Sequence, residues 1–263
     1  MTRRGKFRAW ARIVSGASAA LWLLQPMPGD ADEAPIRFTT EDLPPYVRLE
    51  NDRVTGIAAD VVHCVMAQLG RPYEITVLPW VRAQALVREG VADAFFPGSR
   101  STARDDYAIS SVAIAPQNWS FYLKADSPLD PLQPELRRSA NITSYAGANM
   151  LDYLKAEGYH TAPAPSSYAS LVSMLLSGRL DAVLGNSLAM DLSIHNSGAQ
   201  DDLRSVVLRS EPVGIYFAKR FLTGAPGMLD KFNMAIPGCR VPIGLNGYAR
   251  IPDRNWDQFS IDR

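Results

Sequence analysis

The sequence is poor in the groups that carry metal and redox chemistry. It holds two cysteines, Cys64 and Cys239, and three histidines, His63, His160 and His195. The histidines show no metal-ligand spacing, so no metal centre is expected. A nucleophile elbow and a phosphate-binding loop are both missing. No sequence-local pair of carboxylates points to acid–base catalysis. The chain therefore reads as a non-enzyme that needs no cofactor. It also lacks an excess of either charge, with 27 basic and 27 acidic side chains. Arg3, Arg4, Lys6, Arg8, Arg12 and Asp30 fall in the first 31 residues, leaving 22 basic and 26 acidic in the rest. A mildly acidic body argues against nucleic acid as a partner. There is no low-complexity tract, and after the N-terminus no run of 18 apolar residues, so the mature chain is not expected to enter a membrane.

What is present suits a soluble globular protein: 263 residues, 47% hydrophobic and 21% charged. That length fits one large domain or two smaller lobes. Residues 1–31 read as an export signal. A basic stretch precedes an apolar run from Ile13 to Leu24, and Gly29-Asp30-Ala31 offers small residues for cleavage. Twelve apolar residues fall short of the ~20 that span a bilayer. No cysteine sits at the cleavage point, so no lipid anchor is expected. Export would place Cys64 and Cys239 in an oxidising compartment. There an even count suggests one disulfide, with two separate buried thiols as the other reading.

The apolar pattern lays out alternating elements. Ile36 to Thr40 reads as a strand, broken by Leu43-Pro44-Pro45-Tyr46. Asn51-Asp52 marks a turn. From Gly56 to Gly70, Ile57, Val61, Val65 and Leu69 recur every fourth position, an amphipathic helix stopped by Gly70 and Pro72. Tyr73 to Leu78 is a strand, Pro79-Trp80 opens a helix and Gly90 closes it. Ala92 to Phe96 is a buried strand, which completes a parallel β/α unit. A second stretch echoes the first: helix, Gly178, two residues, Asp181-Ala182, then an apolar pair, as at Gly90 and Asp93-Ala94. The repetition suggests two lobes of similar build. Ser127-Pro128, Pro131 and Pro134 punctuate the region between them. Met150 to Leu154 and Pro226 to Ala235 read as helices, and Val213 to Lys219 as a strand.

Taken in order, three landmarks resemble the family 3 bacterial solute-binding proteins. The first is Glu41-Asp42-Leu43-Pro44-Pro45-Tyr46 followed by Gly56-Ile57-Ala58-Ala59-Asp60. The second is Gly90-Val91-Ala92-Asp93-Ala94 followed by Ser101-Thr102-Ala103-Arg104 and Tyr107-Ala108-Ile109-Ser110. The third is Gly178-Arg179-Leu180-Asp181-Ala182. The resemblance runs from about Ile36 to Phe232. It implies an α/β, two-lobe type II periplasmic-binding fold with a central cleft. Lobe 1 is discontinuous, residues 32–114 plus 213–263, and lobe 2 is residues 115–212. Cys64 and Cys239 then share a lobe, which makes their pairing geometrically possible. The implied role is a monomeric periplasmic protein that takes a small polar ligand, an amino acid or a related carboxylate, to an ABC-transporter permease. The chain ends soon after the second crossing, so no kinase or lytic domain is expected. The alternatives are an enzyme of the same fold, such as a dehydratase, or a component that presents ligand to a sensor.

The resemblance also nominates site residues. Arg104 stands where amino-acid-binding members hold the ligand carboxylate, and a guanidinium fork suits that task. Ser101 and Arg100 lie beside it. Trp80 stands at the family's first-lobe aromatic, able to cover the ligand, and equally able to anchor its helix in the core. Arg82 faces either the cleft or solvent. Glu41 would neutralise a ligand amine. Leu43 stands where many amino-acid binders carry an aromatic lid. In lobe 2, Gly147 and Asn149 sit in a glycine-containing turn into a helix, suited to an anion through backbone N–H groups. Asn186 stands near a position where amino-acid binders carry an aspartate, and its missing charge weakens the expected contact to an α-amino group.

Overall fold

The computed structural model describes residues 34–240 apart from Glu135. The export signal expected over residues 1–31 and the tail from residue 241 lie outside the described residues.

The first region follows the expected alternation. Strand β1 (Ile36–Thr40) is followed by a hairpin, β2 (Arg48–Glu50) and β3 (Arg53–Thr55). Its two-residue turn places Asn51 and Asp52 at φ 48° and 61°, the left-handed conformation that these short polar side chains tolerate. Helix α1 (Ala59–Leu69) buries Val61, Val62, Val65 and Met66 and stops at Gly70, φ 63°. Strand β4 (Tyr73–Val77) leads to α2 (Trp80–Glu89), which buries Trp80, Ala83 and Val87 and ends at Gly90. Strand β5 (Ala94–Ser99) is buried throughout. A short helix α3 (Thr102–Asp105) and strand β6 (Ala108–Ser110) complete the region.

The chain then crosses to a second sheet through β7 (Asn118–Lys124). Beyond it come α4 (Leu136–Ser139), β8 (Ile142–Thr143), α5 (Asn149–Ala156), α6 (Tyr168–Leu176) and β9 (Ala182–Asn186). Helix α7 (Ser187–Ser197) and β10 (Leu203–Ser210) follow. Strand β11 (Val213–Ala218) returns to the first sheet, followed by α8 (Lys219–Gly224) and α9 (Met228–Cys239).

The two sheets have strand orders β4-β1-β5-β11-β6 and β10-β7-β9-β8. In the first, β1, β4 and β5 are parallel, as the sequence pattern implies, while β11 runs antiparallel to β5 and β6. In the second, β8 and β9 are parallel and β7 is antiparallel to β9 and β10. The two Gly-x-x-Asp-Ala echoes do the same work in each sheet. Asp93 Oδ2 accepts from the Arg37 N–H at 3.0 Å and Asp181 Oδ2 accepts from the Asn141 N–H at 2.7 Å. In return, the Arg37 and Asn141 carbonyls accept from the Asp93 and Asp181 N–H groups, both at 2.9 Å.

Cys64 and Cys239 form a disulfide between α1 and α9, with Cα atoms 5.7 Å apart. Of the two readings of these cysteines, the bonded one holds. The bond closes a loop of 175 residues, for which chain-entropy reasoning gives about 5 kcal/mol as an upper figure. Among the described residues no helix is long and apolar enough to cross a membrane.

Candidate functional site

The site forms where the ends of β1, β5 and β9 meet the start of α5, since a parallel strand delivers its following loop to the same edge of the sheet as its neighbours. The end of β1 supplies Glu41, and α2 supplies Trp80 and Gln84. The last residue of β5 supplies Ser99, and α3 swings Arg104 back beneath it. From the second sheet come Tyr145 and Gly147, Asn149 on the first turn of α5, and Asn186 at the end of β9.

Arg104 is buried to 5% exposure. Its Nε donates to Gln84 Oε1 at 2.8 Å and its Nη1 to the Ser99 carbonyl at 2.9 Å. The guanidinium lies 5.3 Å from the Trp80 ring centroid and 5.8 Å from that of Phe95, within cation–π range. Burial lowers its pKa, opposed by Tyr216, Tyr107, Asp152 and Glu41, but a guanidinium stays charged. The remaining nitrogen, Nη2, has no hydrogen-bond partner among the described residues.

Glu41 is also buried, and its Oε2 accepts from the Tyr145 hydroxyl at 2.7 Å. Burial pushes its carboxyl up to about 8, against the Tyr145 hydrogen bond and the Arg104 charge, which pull it down. The Tyr145 hydroxyl is raised in turn by burial and by Glu41.

Hydrogen bonds between the two sheets' loops close the cleft. Trp80 Nε1 and Gln84 Nε2 both donate to the Gly147 carbonyl, at 3.1 and 3.3 Å. Ser99 Oγ donates to Asn149 Oδ1 at 3.2 Å, and Asn149 Nδ2 donates to the Arg100 carbonyl at 2.7 Å. The Tyr46 hydroxyl shares its one proton between the Pro116 carbonyl at 2.8 Å and Asn186 Oδ1 at 3.1 Å. Gly147 sits at φ 75°, where a Cβ would stand 2.7 Å from Val81 Cγ2. Glycine suits this left-handed conformation, and an added Cβ would also press on the exposed Val81 side chain. A cavity of about 30 Å³ remains, lined by Glu41, Trp80, Arg104, Asn149, Asn186 and others. A larger groove of about 770 Å³ lies on the far side of Leu43, Tyr145 and Tyr168, which border both spaces.

The structure thus brings Arg104, Trp80, Glu41, Asn149 and Asn186 together. Trp80 lines the cavity and also packs edge-on against Phe95 at 5.5 Å. Gly147 joins through its carbonyl. Ser101 stands just outside the cavity, and its N–H donates to the Tyr216 hydroxyl at 3.0 Å. Arg100 is exposed and lends only its carbonyl. Arg82 is exposed and pairs with Glu89 at 3.3 Å, on the solvent side of α2. Asn186 Oδ1 caps α7, accepting from the Leu188 and Ala189 N–H groups at 3.1 and 3.4 Å. Sequence reasoning missed Gln84, Ser99, Gln117 and Tyr145 as site residues. Gln84 was within reach of it, being one helical turn beyond Trp80.

His63 has a structural role, its ring nitrogens meeting the Tyr73 hydroxyl at 2.6 Å and the Val54 carbonyl at 2.7 Å. No group of metal-ligating side chains occurs among the described residues.

No protein-family model matches the chain, and no curated protein matches it. Solved structures do match. One is a histidine kinase sensor domain with similarity to periplasmic binding proteins, 17% identical, with 77% of this chain and 89% of that one covered at TM-score 0.68. Another is a substrate-binding protein of an ABC uptake transporter from Streptococcus pneumoniae with bound histidine, 15% identical, 77% and 85% covered, TM-score 0.66. A third is the arginine-, lysine- and histidine-binding protein ArtJ from Geobacillus stearothermophilus, 17% identical, 78% and 89% covered, TM-score 0.66. These likenesses establish the fold: the chain has the two-lobe α/β architecture of periplasmic binding proteins.

Proposed function

We propose that this protein is an exported solute-binding protein that acts in the periplasm as a monomer. It captures a small polar ligand bearing a carboxylate, an amino acid or a relative of one, and delivers it unchanged to an ABC-transporter permease. Residues 1–31 are the export signal, residues 32–114 and 213–263 form lobe 1, and residues 115–212 form lobe 2.

The observation that carries this reading is Arg104. Its guanidinium is buried between the lobes, tied to lobe 1 through two nitrogens, and left with a third that has no partner among the described residues. A rigid, desolvated cation at the meeting point of two lobes suits a carboxylate. Lobe closure around such a ligand is the expected motion. The Cys64–Cys239 bond agrees with an oxidising compartment.

A thermal-shift screen of residues 32–263 against amino acids, opines, small organic acids and polyamines tests the reading. A ligand at a hundredfold excess over its dissociation constant adds about 2.7 kcal/mol of stability. Stabilisation by carboxylate-bearing compounds supports the proposal. A response to polyamines alone, or to nothing in the panel, overturns it.

One observation favours a second reading, an enzyme of the same fold. Glu41 is a buried cleft acid pushed up to about 8, the range in which a carboxyl acts as a general acid at neutral pH. Mass spectrometry of the stabilising compound after incubation separates the two. Recovery of the same mass supports binding, and a new mass supports catalysis.

A further inference from the structure

Gln117 lies in the segment that carries the chain from the first lobe to the second. Its backbone is fixed on both sides, since the Gln117 carbonyl accepts from the Glu211 N–H at 2.9 Å and the adjoining Pro116 carbonyl accepts from the Tyr46 hydroxyl at 2.8 Å. Its side chain is 3% exposed and lines the same cavity as Glu41 and Arg104. The carboxamide oxygen is buried and has no hydrogen-bond partner among the described residues. A buried polar atom left in this condition calls for an explanation, because it forfeits hydration without recovering a bond.

The other amides of the cavity are committed. Asn149 spends its oxygen on Ser99 and its nitrogen on Arg100. Asn186 spends its oxygen on the α7 cap and on Tyr46. Gln117 is the amide oxygen left over, in the cavity where Arg104 also has a nitrogen to offer. We infer that Gln117 is a ligand-contacting residue, its Oε1 accepting a hydrogen bond from an N–H group of a ligand whose carboxylate lies on Arg104. The inference rests on the carboxylate reading above and narrows its ligand class to carboxylates that carry an N–H donor nearby. A plain carboxylate would leave Gln117 unpaired, and the site would discriminate against it.

The test uses Gln117→Met, which keeps the length of the side chain and removes its hydrogen bonding. In the ligand-free protein the variant should melt at or above the wild-type temperature, because no protein contact is lost. A fall of more than about 3 °C would mean that the carboxamide holds the fold together, and would overturn the proposal. In the second arm, calorimetry compares the best-binding amino acid of the screen with its deamino analogue. The variant should lose roughly tenfold in affinity for the amino acid and less than about twofold for the analogue. Equal losses for both would indicate a packing role and overturn it. If no carboxylate stabilises the wild-type protein, the carboxylate reading has failed and the Gln117 inference falls with it; if only carboxylates without an N–H donor do, that reading stands and the Gln117 inference is overturned.

Discussion

The two lobes share a plan and differ in chemistry. Each closes a β/α unit with a glycine in the left-handed region, Gly90 or Gly178, and an aspartate that grips the neighbouring strand. In lobe 1 the grip is reinforced. Asp93 also accepts from Arg37 Nε and Nη2, at 3.0 and 2.8 Å. Arg220 lies against Gly90 and donates to the Val87 and Ala92 carbonyls at 3.0 and 2.8 Å. In lobe 2 Asp181 makes only the backbone bond, helped by Asn141 Nδ2 donating to the Arg179 carbonyl at 2.8 Å. The cleft repeats this contrast. Lobe 1 brings the ionisable groups, Arg104 and Glu41, while lobe 2 brings Tyr145, Gly147, Asn149 and Asn186. The difference teaches a contrast of chemistry across the cleft, charge-bearing groups on the braced side and neutral polar groups on the other; under the proposed function the first would select a ligand and the second would seal it.

Four measurements would break or sharpen that contrast. The largest effect is expected from Arg104→Ala, which should weaken carboxylate binding by about 2–5 kcal/mol. An equal loss from Tyr145→Phe would mean that lobe 2 selects as strongly as lobe 1. Next, Cys64→Ser with Cys239→Ser should destabilise the protein by roughly 2–4 kcal/mol in denaturant titration. A midpoint matching wild type would remove the bond from the bracing of lobe 1. Third, Asp93→Ala should cost about 2 kcal/mol and Asp181→Ala about 1 kcal/mol. The gap is kept small because Arg37 is 43% exposed and its ion pair is screened. Equal costs would erase the asymmetry.

The smallest effect concerns pH. Burial raises the Glu41 carboxyl to about 8 in the folded protein, so between its unfolded pKa and 8 the native state holds a proton that the unfolded state has lost. Stability from this group is therefore complete at low pH and declines as pH rises through that window. If the cleft opens, Glu41 is rehydrated, which should cap the decline at the cost of opening and keep it well short of the full shift. Glu41→Gln should flatten the melting temperature between pH 5 and 8. An unchanged pH profile in the variant would locate the titration elsewhere.

Much of the architecture was legible because periodicity and glycine punctuation report it directly. The stripe through Val61 and Val65 and the stop at Gly70 gave α1, and the repeated Gly-x-x-Asp-Ala gave the paired lobes. Strands β6 and β8, with three and two residues, are too short to show a period. Strand β7 begins with Asn118 and Ser120, polar yet buried, and so hides its place in the second sheet.

In the site, proximity in sequence misled where direction mattered. Arg82 is two residues from Trp80, and on a helix two residues point to nearly opposite faces, whereas Gln84 at four residues shares the face. Arg100 and Arg104 differ likewise: the first leaves β5 toward solvent, and α3 turns the second inward. Which polar atoms are spent and which are spare, as at Asn186 and Gln117, depends on partners from distant segments. No local pattern reports that.

The bond between Cys64 and Cys239 encloses every residue of the second lobe within one covalent ring. A protease that nicks a surface loop of that lobe would leave a single molecule, which would migrate as two pieces only after reduction. Tension applied between Cys64 and Cys239 would pass through the sulfur link and spare the chain enclosed by it, whereas β1, Glu41 and Tyr46 lie outside the ring. The second sheet is in this sense held inside the ring, while the first strand of the cleft stays exposed to whatever grasps the N-terminal end.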